Sequence, residues 1–386
     1  YIRVLYAMWL VRTVLSYLLT YRKSLLIADQ KEYIASITGL ILNVVSYLAI
    51  ILLVTWEQNY LLALGIGTVT EVVLNIWISW YVEQKYPFLR QRRKEKSTSS
   101  LTKRIVRDLK SLFISRISEK MLYCTDNLII SGFIGVGTVG RYANYCMITQ
   151  AISNILTILA NTIQPTVGDY FTEKNRQRNY EILRQLTFGF FCIASVVSVG
   201  LFSLITPFVR DIWLGPSYEL GWGITVFCIV VLLVRIMGLP LSLVMGVTGL
   251  FEKEKNVGAS SALLNLIVSL ALVKPYGMAG VLLGTLLSYL LQILYRYIIY
   301  FRDFLEMPGE ALRYAQDIGE YLAVIAGEVL LMQKIVPLIY GAGGMLLFCV
   351  CFLLCIAIPL LLDLVIFGRG WRLQSIVTMV KGMRKA

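Results

Sequence analysis

The sequence predicts an all-α, polytopic membrane protein built from helical bundles, and three observations carry that reading. Of its 386 residues, 58% are apolar and only 15% charged, with a mean hydropathy of +0.72. Soluble chains run nearer 45–50% apolar and about 25% charged. Apolar runs long enough to cross a bilayer recur along the whole chain. Basic residues gather on alternate connections between those runs.

A hydrocarbon core of about 30 Å needs roughly 20 apolar residues per helix. Runs of that kind lie near residues 1–20, 33–54, 60–82, 110–133, 142–164, 186–208, 221–248, 257–273, 278–299, 318–338 and 342–366. They predict eleven spanning helices. The chain opens at Tyr1 inside an apolar run, so sequence is expected to precede it and eleven is a lower bound.

Orientation follows from the charges. With segment 21–32 placed in the cytoplasm and sides alternating from there, cytoplasmic connections hold 27 Lys and Arg. The opposite side holds four: Arg141, Arg210, Lys274 and Lys334. Basic residues stay cytoplasmic, and one misplaced helix would scramble so uneven a split. The net charge of +13 therefore reports orientation and affinity for anionic lipid rather than nucleic-acid binding, since no basic-aromatic module accompanies it. The chain has no His, which excludes imidazole catalysis and His-ligated metals. Its seven Cys fall in apolar stretches without a CxxC pair and read as small buried residues.

The longest polar connection, 83–111, contains QRRKEKSTSS and reads as a basic cytoplasmic linker between two bundles. An internal repeat agrees with two bundles. Shifted by 222 positions, Lys31-Glu32 falls on Lys253-Glu254, Leu42-Asn43 on Leu264-Asn265, and Leu48-Ala49 on Leu270-Ala271. Parallel repeats about an axis along the membrane normal are a common transporter plan, with the substrate between the halves.

Several spans carry polar stripes at helical spacing. A polar group facing lipid is costly, so each stripe must face protein or a wet cavity. Arg116, Glu119, Lys120, Tyr123 and Asn127 share one face, with Asp126 at its edge. Gln150, Ser153, Asn154, Thr157, Asn161 and Gln164 line the next helix. Residues 60–82 show Thr68, Glu71, Asn75 and Ser79. Arg12 and Ser16 mark the first helix; Arg235, Gly238 and Ser242 mark 221–248, with Pro240 as a kink.

The functional reading is a hydrated cavity whose cations Arg12, Arg116, Lys120 and Arg235 bind phosphate. Its amides and hydroxyls, Gln150, Asn154, Thr157 and Asn161, suit sugar hydroxyls. The competing reading makes the stripes packing glue, with Arg116 paired to Glu119 and Arg12 to Glu71. A central charge costs about 2.5–3.5 kcal/mol on insertion scales, which a transporter core explains better than packing does. Arg3 sits half a turn away from Arg12 and is expected to snorkel. Asp126 could bind Na⁺ or H⁺, with Asn265 lending an oxygen, or it could serve as an ion-pair or helix-end contact. Glu320 and Glu328 fit either a groove or local pairing.

The segments YRKSLLIADQKEYIASI, DNLIISGFIGVGTVGRYANYCMI and QPTVGDYFTEK resemble Wzx-type polysaccharide flippases. These belong to the multidrug/oligosaccharidyl-lipid/polysaccharide (MOP) exporter superfamily. The resemblance implies a MATE-like fold of two pseudo-symmetric lobes and a total of 14 helices, the first three absent here. It implies 1–82 as the C-terminal half of the first lobe, 83–111 as linker and 112–300 as the second six-helix lobe. Residues 301–317 become a cytoplasmic connection, 318–366 an added helix pair and 367–386 a basic tail.

The implied function is flipping an undecaprenyl-diphosphate-linked oligosaccharide to the outer leaflet of a bacterial cytoplasmic membrane by alternating access. Capsule, O-antigen or cell-wall polysaccharide would be the product. Glycosyltransferases and a polysaccharide polymerase would be partners alongside membrane lipids, with no catalytic residue, metal or other cofactor beyond Na⁺ or H⁺ coupling. Two rivals remain: a multidrug/cation antiporter of the same superfamily, disfavoured by the cationic cavity, and a membrane glycosyltransferase or polymerase, disfavoured by short outer connections.

Overall fold

The computed structural model describes residues 2–18, 22–29, 31–57, 60–87, 124–171, 175–341 and 343–368. They are helical almost throughout, and no strand occurs among them. The chain divides into two compact units, Tyr1–Ser99 and Ser100–Ala386.

The first unit holds α1 (Ile2–Leu18), the short α2 (Lys23–Ala28), α3 (Glu32–Glu57) and α4 (Tyr60–Lys85). Both α1 and α3 pack on α4. Most apolar side chains of α3, including Val44, Leu48, Ile51 and Leu52, point away from that packing and are exposed within the unit, as suits a helix bathed in lipid. The α2 turn is tied down by polar contacts. Arg22 bonds the Ser79 hydroxyl and pairs with Glu83 at 2.6 Å. Asp29 accepts from Lys31 and, at 2.6 Å, from the Tyr86 hydroxyl. Those two donors hold the Asp29 carboxyl below the usual carboxylate range.

The second unit holds α5 (124–133), α6 (Val136–Tyr170), α7 (Arg176–Pro207), α8 (Trp222–Val247), α9 (Phe251–Ile298), α10 (Pro308–Tyr340) and α11 (Met345–Phe367). The middle of this unit is α8, which packs against α6, α7 and α9; α7 in turn carries α10 and α11. The core follows those contacts through Phe188, Phe191, Ile229, Ile236, Leu241 and Val281. Wide π-turns extend α7 at Phe208–Trp213 and α9 at Ile299–Leu305.

Eight helices among the described residues are long and apolar enough to cross a membrane. The expected spans at 257–273 and 278–299 lie in one of these, α9, whose 48 residues would reach about 72 Å if straight at about 1.5 Å per residue. Such a rod is more than twice the hydrocarbon thickness. The chain instead reverses at Gly277, whose φ of 56° and ψ of −135° suit glycine alone, two residues after Pro275. The two arms then lie side by side, with Ser269 donating to the Val281 carbonyl at 3.2 Å and Asn265 to Thr285 at 2.8 Å. The protein is thus a multi-pass membrane protein, as expected.

Several helices run past the ends expected from sequence, two of them furthest at their starts. α7 starts at Arg176 and α10 at Pro308, each ten residues ahead of its apolar run, so most of the expected connection 301–317 is helical. Hydropathy marks only the part of a helix that meets lipid. The charged first turns continue the same hydrogen-bond ladder in water, with Asn175 capping α7 through its side chain to the Arg178 N–H at 3.2 Å. Among the cysteines, Cys228, Cys351 and Cys355 are buried as expected, whereas Cys124 and Cys349 sit on exposed helix faces. An apolar thiol is tolerated in either setting.

Candidate functional site

In the first unit, Arg12 crosses from α1 to α4. Its guanidinium lies against Gly67, where an added Cβ would come within 2.8 Å of Nη1. It faces Glu71 at 4.0 Å, with both side chains about one-third exposed. The missing side chain at Gly67 is what lets the cation rest on the α4 backbone. Thr68 bonds the Leu64 carbonyl at 2.8 Å and leaves the cation uncontested. The expected Arg12–Glu71 pairing is therefore present, at a separation long enough to leave guanidinium donors for another acceptor. Arg3 is exposed.

In the second unit, α6 and α8 run the same way. The Leu220 N–H donates to the Tyr145 hydroxyl at 3.2 Å near one end, and Gln164 lies against Gly246 near the other. Arg235 of α8 is thereby at the depth of the polar stretch of α6. Its guanidinium lies 5.4 Å from the centre of the Tyr289 ring on α9, a cation–π contact that holds it inside the span. Along α6, Ser153 is buried and accepts the Thr157 hydroxyl at 2.8 Å through its carbonyl. Gln150 is half-buried, while Asn154, Thr157 and Asn161 are exposed within the unit. Arg116 and Lys120 fall outside the described residues.

A second constellation joins α5 to the α9 hairpin. Asp126, Asn265 and Thr285 are all buried. The Thr285 hydroxyl donates to Asp126 Oδ2 at 2.7 Å, and the Asn265 amide reaches Asp126 Oδ1 at 3.4 Å and Thr285 Oγ1 at 2.8 Å. Asn265 Oδ1 is buried without a hydrogen-bond partner. A carboxylate, an amide, a hydroxyl and the Val281 carbonyl thus gather where the hairpin arms touch α5, the amide presenting its nitrogen to Asp126 and Thr285. With the amide turned over, its unpartnered oxygen would complete an all-oxygen set of the kind that suits a hard cation.

The structure therefore brings together Asp126 and Asn265, which the sequence paired by residue type. It adds Thr285 and Ser269, which the sequence reading missed. The signal was there as Asn265 and Ser269 one turn apart on one arm, and Val281 and Thr285 one turn apart on the other, about a Pro-x-Gly reversal. Of the two glutamates left open on α10, Glu320 is exposed and Glu328 is buried.

Residues 1–171 match the model of a family described as "Polysaccharide biosynthesis protein". No curated protein matches the sequence. The fold is similar to that of a solved structure described as "Lipid II flippase MurJ, inward closed conformation". The TM-score is 0.64 at 14% identity over 90% of this chain and 70% of that one. A sequence match over residues 1–171 and a shared fold thus agree with the expected helical architecture.

Proposed function

We propose that this protein flips a polyprenyl-diphosphate-linked oligosaccharide across the bacterial cytoplasmic membrane by alternating access. The observation that carries the reading is the α6 face. Asn154, Thr157 and Asn161 are exposed within their own unit although they lie in a membrane span. Polar side chains there need water or polar partners rather than lipid. At the same depth Arg235 supplies a cation held by an aromatic ring. Cations and amides at one level suit a diphosphate followed by sugars, while the polyprenyl tail stays in lipid. Arg12 of the first unit, Arg116 and Lys120 would be further ligands for the diphosphate. The family match to polysaccharide biosynthesis proteins and the flippase fold support the same substrate class. Glycosyltransferases and a polymerase would supply and consume the cargo.

Two tests follow. A strain lacking its own flippase, complemented with the complete protein, should export polysaccharide. Neutralising Arg116 and Lys120 together should abolish export at unchanged protein level. Arg235→Gln should lower it about tenfold or more, the worth of one charge-assisted hydrogen bond of about 1.5–3 kcal/mol. Normal export from the double variant would remove those residues from the mechanism.

The Asp126 constellation would hold the coupling ion, Na⁺ or H⁺. Asn265 would turn its unpartnered oxygen toward Na⁺ beside Asp126, Thr285 and the Val281 carbonyl. Asp126→Asn keeps the shape and removes the charge. It should remove one saturable ²²Na⁺ site and abolish the Na⁺ dependence of transport while the protein still purifies as a folded monodisperse species. Unchanged Na⁺ binding in that variant would refute the assignment.

A further inference from the structure

We propose that Glu328 and Asp363, gathered beside Ser195, form a second cation-binding site, distinct from the Asp126 constellation and independent of the transport reading. It lies where α7, α10 and α11 meet. The Ser195 hydroxyl donates to Glu328 Oε2 at 2.6 Å. Asp363 faces both Ser195 and Glu328 from α11, and Cys192, one turn before Ser195, faces the same two carboxyls. Glu328 is 3% exposed, Asp363 4% and Ser195 0%.

The arrangement is short of positive charge and of donors. Both oxygens of Asp363 and the Oε1 atom of Glu328 are buried without a hydrogen-bond partner. Among the described residues no Lys or Arg pairs with either carboxylate. Ser195 has one proton to give and spends it on Glu328. Two carboxylates cannot both stay charged in a membrane interior without a compensating cation. The same deficit could be met by a proton shared between the carboxyls or by a small alkali-metal ion among their oxygens. Both are monovalent cations neutralising one acid pair.

The surroundings are built to keep such an ion dry. One turn from Ser195 and Asp363, Phe191 stacks on Tyr321 at 4.5 Å and meets Phe367 edge-on at 5.5 Å. This aromatic layer closes the pair off at the Phe367 end of α11. A cation bound above it would hold α10 and α11 against α7, since each of the three helices contributes one member of the site.

The test uses the full chain in detergent micelles, with Asp363→Asn and Glu328→Gln as near-isosteric variants. Two probes separate the cation sources: the carboxylic-acid carbonyl band in difference infrared spectra, recorded in Na⁺-free buffer, and ²²Na⁺ binding. If a proton occupies the site, the wild type shows a buried carboxylic-acid band that each variant shifts, the double variant loses and Asp126→Asn keeps. If Na⁺ occupies it, Asp126→Asn retains Na⁺ binding that the combination with Asp363→Asn eliminates. Should the variants fail to fold, labelling of the wild type with the apolar reagent dicyclohexylcarbodiimide reads the same site. Modification at Glu328 or Asp363, suppressed by alkali or by Na⁺, supports it. A wild type with no such label, no buried acid band and no Na⁺ binding beyond Asp126 overturns the proposal. Loss of the Asp126 signals alone would bear on the transport reading and leave this one intact.

Discussion

Gly280→Ala should destabilise the protein by about 1–3 kcal/mol, the cost of forcing an extra carbon into a packed interface. A Cβ at Gly280 would lie 2.6 Å from the Leu272 carbonyl carbon and overlap its oxygen, and these backbone atoms cannot step aside by changing rotamer. At Gly284 the same carbon would overlap the Ser269 hydroxyl and come within 3.1 Å of the Asn265 carbonyl oxygen and the Ser269 nitrogen. The two arms of α9 approach closely because small residues line the seam, the usual means of bringing helices together in a membrane. Parting them at Gly280 also pulls Asn265 and Thr285 away from Asp126. Gly200→Ala is the control, since a Cβ there meets nothing within 4 Å and α7 is regular around it. It should be neutral or stabilising by up to about 1 kcal/mol. Thermal unfolding in detergent compares the two, and equal midpoints would show that the seam can relax.

Asp317→Ala should cost about 3 kcal/mol, the lower end of the range for stripping one partner from a buried ion pair. Asp317 binds Arg184 through two hydrogen bonds, Nε to Oδ2 at 2.6 Å and Nη2 to Oδ1 at 3.0 Å. The Asp317 side chain is 8% exposed and that of Arg184 21%, so water can solvate the abandoned guanidinium in part. This is the reason for choosing the lower figure. The pair joins α7 to α10 beside the Thr187–Tyr314 hydrogen bond of 3.0 Å, and the guanidinium also rests 5.5 Å from the centre of the Tyr180 ring. The double change Arg184→Met with Asp317→Leu should recover most of the loss, because it removes both charges from the interface. A double change as unstable as Asp317→Ala alone would show that lost packing, not an orphaned charge, sets the cost.

The spans were legible because lipid imposes one rule on every residue it touches. Apolar stretches such as Tyr33–Trp56 and Met345–Phe367 announce themselves by length alone. Legibility fell where water or protein replaces lipid. The first turns of α7 and α10 are charged, and only their hydrogen bonding and packing mark them as helix. The Asp126–Asn265 pairing was readable from residue type, because a carboxyl and an amide in a membrane each need company. Thr285 was not, since a hydroxyl can bond its own helix backbone and needs no other partner. Arg12 with Glu71 was readable as opposite charges on two polar stripes, but Gly67 beneath the guanidinium was not, because the space it leaves is defined by another helix. Ser195, Glu328 and Asp363 come from three helices whose packing order no hydropathy plot contains.

The reversal at Gly277 bears on how the protein enters the bilayer during synthesis. The first arm of α9 carries Asn265 and Ser269, both fully buried in the finished fold. Alone in lipid those groups would have nothing to bond across to. The second arm brings the Val281 carbonyl and the Thr285 hydroxyl within reach after only a few more residues. The insertion machinery is therefore expected to release this segment as a preassembled pair rather than as two successive single helices.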